Sequence, residues 1–128
     1  MAKILVIDDS ALMRRILRNY LQAAGHDVED WLPLSAMEIP ERLTSNPVDL
    51  ILTDYQMPGV NGMTVAKMAM KAAPGVPVIV LTALVDAEIA AQLAKFKVTR
   101  IIHKPITSEA LQAIVSEVLG SSPRPPQA

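Results

Sequence analysis

Cysteine is absent from the 128 residues, which removes disulfide frameworks, zinc ribbons and thiol nucleophiles together. Aromatic side chains make up only 3% of a chain that is 51% hydrophobic, so its core must be aliphatic and closely layered. Glycine is sparse as well, with five in all. No G-x-G-x-x-G follows an apolar run, and no G-x-x-x-x-G-K-[ST] or G-x-S-x-G occurs, which excludes dinucleotide, P-loop and nucleophile-elbow chemistry. Neither sign of charge is in excess: 12 basic and 13 acidic residues leave a net charge of −1. Such a balance gives no bulk attraction to nucleic acid or anionic membrane, and direct nucleic-acid binding is not expected. Long hydrophobic runs are missing too. The longest, residues 78–85 interrupted by Thr82, falls far short of the ~20 residues of a membrane span. A single lysine before a short apolar run ending in two aspartates does not make a signal peptide. The expectation is one soluble, cytoplasmic domain, long enough to bury a core without staples.

What is present alternates. Residues 4–7, 48–53 and 78–81 are short, continuous, β-branched runs, the pattern of parallel strands covered on both faces. Residues 27–31 and 99–103 are weaker strand candidates. Between them lie helical patterns. Met13, Ile16, Leu17, Tyr20, Leu21 and Ala24 recur at helical spacing, Arg14, Arg15, Arg18 and Gln22 take the other face, and Gly25 stands where a C-terminal cap belongs. A second helix falls within residues 35–45, where Pro40 would either kink it or open a shorter one. The third spans 62–72, ended by Pro74-Gly75, and the fourth 86–96, with Asp86 as N-cap. The fifth runs over 107–119, capped by Thr107 or Ser108 and ended by Gly120. Residues 121–128 read as a flexible tail or linker stub after a domain of residues 1–120. Strict β/α alternation with right-handed crossovers gives an open parallel sheet with helices on both faces, whose sites form outside the carboxyl ends of the strands.

At those ends stand Asp8-Asp9, Asp54, Thr82-Ala83 and Lys104-Pro105. Singly, each has an ordinary structural reading as a cap, a turn residue, a strand residue or a solvated loop lysine. Together at one edge of one sheet they make a constellation. If the first and third strands are neighbours, their axes lie ~4.8 Å apart, and Asp8, Asp9 and Asp54 share one pocket. Three such carboxylates cannot all ionise without a cation, and oxygen-only donors with room for water suit Mg²⁺ rather than zinc. His26 and His103 have no partner at ligand spacing, and His103 reads as a half-buried structural residue. Lys104 starts roughly 10 Å from Asp54 in backbone terms, a gap its flexible stem can cross. A cation, an ammonium and a hydroxyl converging on one carboxylate form a receptacle for a phosphoryl group.

On these motifs the sequence resembles the receiver domain of two-component response regulators, over about residues 3–119. The resemblance rests on Asp8-Asp9, on Asp54-Tyr55-Gln56-Met57-Pro58-Gly59-Val60-Asn61-Gly62, on Leu81-Thr82-Ala83 and on Lys104-Pro105. The run Met13-Arg14-Arg15-Ile16-Leu17-Arg18-Asn19 is similar to that of single-domain chemotaxis receivers. It implies a flavodoxin-like α/β fold, a five-stranded parallel sheet in the order 2-1-3-4-5. It implies that Asp54 accepts a phosphoryl group from a phosphohistidine of a sensor histidine kinase or histidine phosphotransfer protein. It further implies that Asp9, Asp54 and the Gln56 carbonyl ligate Mg²⁺, with Asp8 acting through water, that Thr82 and Lys104 bind the phosphoryl oxygens, and that Lys104-Pro105 is cis. A dimer through the fourth helix, fifth strand and fifth helix is a further implication.

The sequence also departs from the family. Ile101 replaces the usual aromatic switch residue, Gln56 and Leu84 occupy positions that tune hydrolysis, and Lys97 stands where glycine commonly ends the fourth helix. Without a ring at 101, activation is expected to pass through residues 82–86, with Leu84 limiting water at the phosphoryl group. The leading function is a stand-alone phosphorylatable switch or phosphoryl shuttle rather than a turnover enzyme. The alternatives are a receiver cut from a longer regulator, a degenerate scaffold, and a small Mg²⁺-dependent phosphatase, the last disfavoured because Asp8-Asp9-Ser10 lacks the D-x-D of that class.

Overall fold

A computed structural model describes residues 2–57, 59–83 and 86–121. The apolar runs form β1 (Lys3–Ile7), β3 (Leu50–Asp54) and β4 (Val78–Thr82), and the weaker candidates form β2 (Asp27–Trp31) and β5 (Arg100–His103). Helices α1 (Ala11–Ala23), α2 (Glu38–Ser45), α3 (Gly62–Ala72), α4 (Ala87–Lys95) and α5 (Ser108–Ser121) alternate with them. The sheet is parallel throughout and ordered β2-β1-β3-β4-β5, the flavodoxin-like arrangement that the alternation implies.

Each strand residue is assigned to a face by the two-residue period. Ile4, Val6, Leu50, Leu52, Ile79, Leu81 and Ile102 pack against Leu17 and Leu21 of α1 and Leu111, Val115 and Val118 of α5. The intervening Leu5, Ile7, Ile51, Val78 and Val80 pack against Ile39 and Leu43 of α2, Val65, Ala66 and Ala69 of α3, and Leu93 of α4. β3 and β4 are buried along their whole length, which is why their sequences read as unbroken apolar runs.

The helix ends follow side-chain chemistry. Ser10, Asn61 and Asp86 cap α1, α3 and α4 by accepting the N–H groups of Met13, Thr64 and Ile89. Thr107 rather than Ser108 caps α5, its hydroxyl accepting from Ala110 N–H at 3.1 Å. α5 continues through Gly120 instead of stopping there. α2 begins at Glu38, inside the expected 35–45 window, because the Glu38 carboxylate folds back to accept the N–H groups of Leu34 and Ser35 and holds them in a turn. Pro40 neither kinks nor opens α2. It is the third helical residue, where the missing N–H is one that has no intrahelical partner anyway. His103 is exposed, not half-buried, because β5 ends at the sheet margin and turns its last residue to solvent. Leu84, Pro58 and the tail residues beyond 121 lie outside the described residues.

Two helices end in the same hydrogen-bond motif with different residues. After α1, Gly25 takes φ +91° while Gly25 N–H reaches Gln22 C=O and His26 N–H reaches Leu21 C=O. After α4, Lys97 adopts φ 59° while Lys97 N–H reaches Ala94 C=O and Val98 N–H reaches Leu93 C=O. An L side chain in that left-handed conformation costs roughly 1 kcal/mol or more, partly offset by the freedom glycine would have unfolded. Lys97→Gly is therefore expected to stabilise the protein by about 0.5–1 kcal/mol, read as a higher urea midpoint at unchanged slope.

Candidate functional site

The face assignment that builds the core also builds the pocket. Asp8 continues the α1/α5-facing series Ile4, Val6, and Asp54 continues Leu50, Leu52. Ile7 lies opposite Thr53 in the register, which sets Asp8 beside Asp54 one residue further on. Asp8, Asp9 and Asp54 each present an oxygen within 4.8 Å of the others. Asp8 and Asp54 are buried and Asp9 is exposed at the mouth.

Lys104 shares the face parity of Ile102 and reaches back over two strands to place Nζ 2.8 Å from Asp54 Oδ1 and 3.8 Å from Asp8 Oδ2. The Lys104-Pro105 bond is cis, as expected. The Lys104 N–H extends the ladder by donating to Thr82 C=O. Thr82 ends β4 fully buried, with the parity of Val78 and Val80, which sets it on the α2–α4 side of the sheet. Gln56 is exposed on the loop after β3. Ile101 lies on the same side as Thr82, half-buried against the α2–α4 core.

The electrostatics are unbalanced. Among the described residues the Lys104 ammonium pairs with two of the three clustered carboxylates, Asp54 and Asp8, and Asp8 Oδ2, although buried, has no hydrogen-bond partner. Burial pushes the Asp8 carboxyl above its ordinary pKa, and the Asp54 and Asp9 carboxyls push the same way. The Ser10 N–H and the Lys104 ammonium oppose them. A hard divalent cation fits this donor set: oxygens only, one orphaned and inward, one exposed at the mouth where water can complete the shell.

Three supporting residues take part in the site in ways their sequence motifs do not specify. Ser10 donates its N–H to Asp8 Oδ1 at 2.9 Å and caps α1 with its hydroxyl, so the acidic turn and the helix share one hinge. Gly62 lets α3 abut the end of β3. Its N–H meets Tyr55 C=O at 2.8 Å, and a Cβ there would lie 2.9 Å from the Asp54 carbonyl oxygen. Arg14, expected on the solvent face, is folded instead onto Asp30 and the Asp8 main chain.

The family profile described as response regulator receiver domain matches residues 4–116. A chemotaxis protein CheY homolog of Campylobacter jejuni is 36% identical, with 93% of each chain covered. Chemotaxis protein CheY1 of Helicobacter pylori is 32% identical over 94% of this chain and 98% of its own. The crystal structure of Vibrio cholerae chemotaxis protein CheY4 superposes with a TM-score of 0.82 at 28% identity, covering 92% of this chain and 98% of that one.

A carboxyl whose folded pKa is raised binds its proton more tightly in the native than in the unfolded chain. Stability therefore falls as pH rises from the ordinary value of about 4 through the raised one, and the buried charge remains a cost at neutral pH. In EDTA at pH 7, Asp8→Asn is expected to raise the thermal midpoint by several degrees, and the gain should shrink as pH is lowered toward 4. Equal midpoints at pH 7 would contradict the burial cost.

Proposed function

The chain belongs to the response regulator receiver family, whose members are phosphorylatable signalling domains rather than turnover enzymes, and on that premise we propose that Asp54 is its phosphoacceptor, charged from a phosphohistidine in a Mg²⁺-dependent reaction. The observation that carries the reading is the contact of Lys104 Nζ with Asp54 at 2.8 Å beside an acidic pair that offers metal-ligand oxygens.

In the proposed reaction an Asp54 carboxylate oxygen attacks phosphorus, the bond from phosphorus to the donor imidazole nitrogen breaks, and its electron pair stays on the ring. The product is an acyl phosphate on Asp54. Asp9, Asp54 and the Gln56 carbonyl would hold Mg²⁺ directly, with Asp8 acting through water. The cation, when bound, offsets charge on the carboxylates and the transferring phosphoryl oxygens. Lys104, already aimed at Asp54, would shift its contact from carboxylate to phosphoryl oxygen, and the Thr82 hydroxyl would donate to another. Both act by position and charge, which is what a phosphoryl transfer with a loose transition state asks of a protein. In this reading a cation and the Thr82 hydroxyl would join the Lys104 ammonium at one carboxylate, which favours a switch over a scaffold.

The partners this reading supplies are a sensor histidine kinase or a histidine phosphotransfer protein, with the α4-β5-α5 face as the output or dimer surface. Ile101 is β-branched and packed, so it does not offer the rotating ring of other receivers, and the signal would leave through residues 82–86 and α4. A phosphoryl shuttle to a second histidine is compatible with that output. Residues 1–120 make up the receiver unit in this reading, and no described helix is long and apolar enough to cross a membrane.

Incubation with acetyl phosphate and Mg²⁺ followed by intact mass measurement tests the reading. One phosphoryl group per chain is expected, lost in EDTA and lost in Asp54→Asn, whose amide is not a nucleophile at neutral pH. No adduct on the wild type would support a scaffold, and rapid release of phosphate over many turnovers would support a phosphatase.

A further inference from the structure

Arg14 is folded against the acidic turn although helical periodicity sets it on the solvent face of α1. Its side chain is largely covered, 18% exposed, although it lies on a helix flank whose neighbours Arg15 and Arg18 are exposed. Its Nη1 donates to the main-chain carbonyl of Asp8 at 2.6 Å, and its Nε donates to Asp30 Oδ2 on β2 at 3.2 Å. Arg18, one turn further along α1, holds the other Asp30 oxygen at 2.8 Å. The chain of contacts thus runs from Arg18 through Asp30 and Arg14 to the peptide group that joins Asp8 to Asp9. A planar guanidinium with its donors in a fixed fork is well shaped to bridge two acceptors this way.

The carbonyl that Arg14 grips lies in one rigid plane with the Cα of Asp9. Asp8 needs no such help. Its carboxylate is buried and fixed by Ser10 N–H. Asp9 is exposed, so packing does little to aim it, and the orientation of the preceding peptide sets the direction in which its side chain leaves the backbone. We propose that Arg14, braced by Asp30, is a positioning residue that orients Asp9 toward a divalent cation. This rests on the reading of the acidic cluster as an Mg²⁺ site.

The sign of the effect separates this from simple electrostatics. A guanidinium near a cation site repels the cation, so neutralising it should tighten binding if charge were its only influence. If Arg14 works by holding the Asp8–Asp9 peptide, neutralising it should weaken binding.

The test is Mg²⁺ titration of the full chain by calorimetry for wild type, Arg14→Gln, Arg14→Lys, Asp30→Ala, Asp9→Ala and the double variant Asp9→Ala/Arg14→Gln. Arg14→Gln is expected to raise Kd by about 5–10-fold, roughly 1–1.4 kcal/mol. Asp30→Ala should raise it by about 2–3-fold, though losing a nearby acid acts in the same direction by charge alone. The charge-conserving Arg14→Lys, which loses the fork, therefore decides the question if Arg14→Gln does not fold: about 2–3-fold weaker binding is expected, and an unchanged Kd overturns the proposal. On the Asp9→Ala background, Arg14→Gln should cost nothing further, because its effect passes through Asp9. Unchanged or tighter binding in Arg14→Gln overturns the proposal, as does an equal loss with and without Asp9. Absence of wild-type binding overturns the metal reading itself, and this proposal with it.

Discussion

The contact between Lys104 and Asp54 holds together a cluster that would otherwise drive itself apart. Three carboxylates converge where the parallel strands end, and the Lys104 ammonium reaches two of them, Asp54 and Asp8, from two strands away. Without it, Asp8 and Asp54 would be two buried like charges in adjacent positions of neighbouring strands. With it, the pocket is still one-sided, since Asp8 Oδ2 lies 3.8 Å from the ammonium and forms no hydrogen bond among the described residues. The pocket is therefore stable enough to exist and unbalanced enough to favour a cation, an imbalance kept at some cost to folding.

The remainder of the fold can be understood as the means of bringing those groups to one edge. A parallel sheet sends every strand's carboxyl end the same way, and the order β2-β1-β3-β4-β5 sets β1 beside β3 at the centre. Aliphatic layers on both faces fix the register, because a slip of one residue would exchange the two cores and turn Asp8 and Asp54 to the opposite face. Gly62 then lets α3 abut the Asp54 main chain, and Ser10 ties the acidic turn to α1. The site is thus built on strand ends and helix caps rather than on long loops.

Much of this was legible in the sequence, for reasons that differ by residue. β3 and β4 announce themselves because a strand buried on both faces must be apolar throughout, and period-two counting from them brings Asp54 and Thr82 to the edge. Asp86 and Gly25 are local signals, read within one turn of their own helix. The start of α2 was not legible, since it depends on Glu38 folding back on Leu34 and Ser35 in competition with helix extension. Arg14 was misread for a different reason. Helical periodicity assigns a side chain to a face but cannot say that an acidic residue on the edge strand β2 and a carbonyl of the acidic turn both lie within its reach. His103 shows the same limit, its exposure set by where the sheet ends rather than by its own segment.

The two faces of the sheet also bear on how a phosphoryl group on Asp54 would be sensed. Asp8, Asp54 and Lys104 have the parity of the α1/α5 core, whereas Thr82 and Ile101 have that of the α2–α4 core. A group confined to the acidic cluster and Lys104 would be felt on one face alone. A phosphoryl group is larger than the carboxylate it modifies and offers oxygens in several directions, so in the proposed reaction it engages Thr82 from the second face as well. A ligand shifts a conformational equilibrium only by the difference in its contacts between the two states. Lys104 already faces Asp54 before transfer, so it supplies little of that difference. The Thr82 contact, made to a group that does not exist until Asp54 is modified, supplies more. With Ile101 packed and lacking a polar tip, the proposed route by which the new contact does work would run from Thr82 into the α4 region.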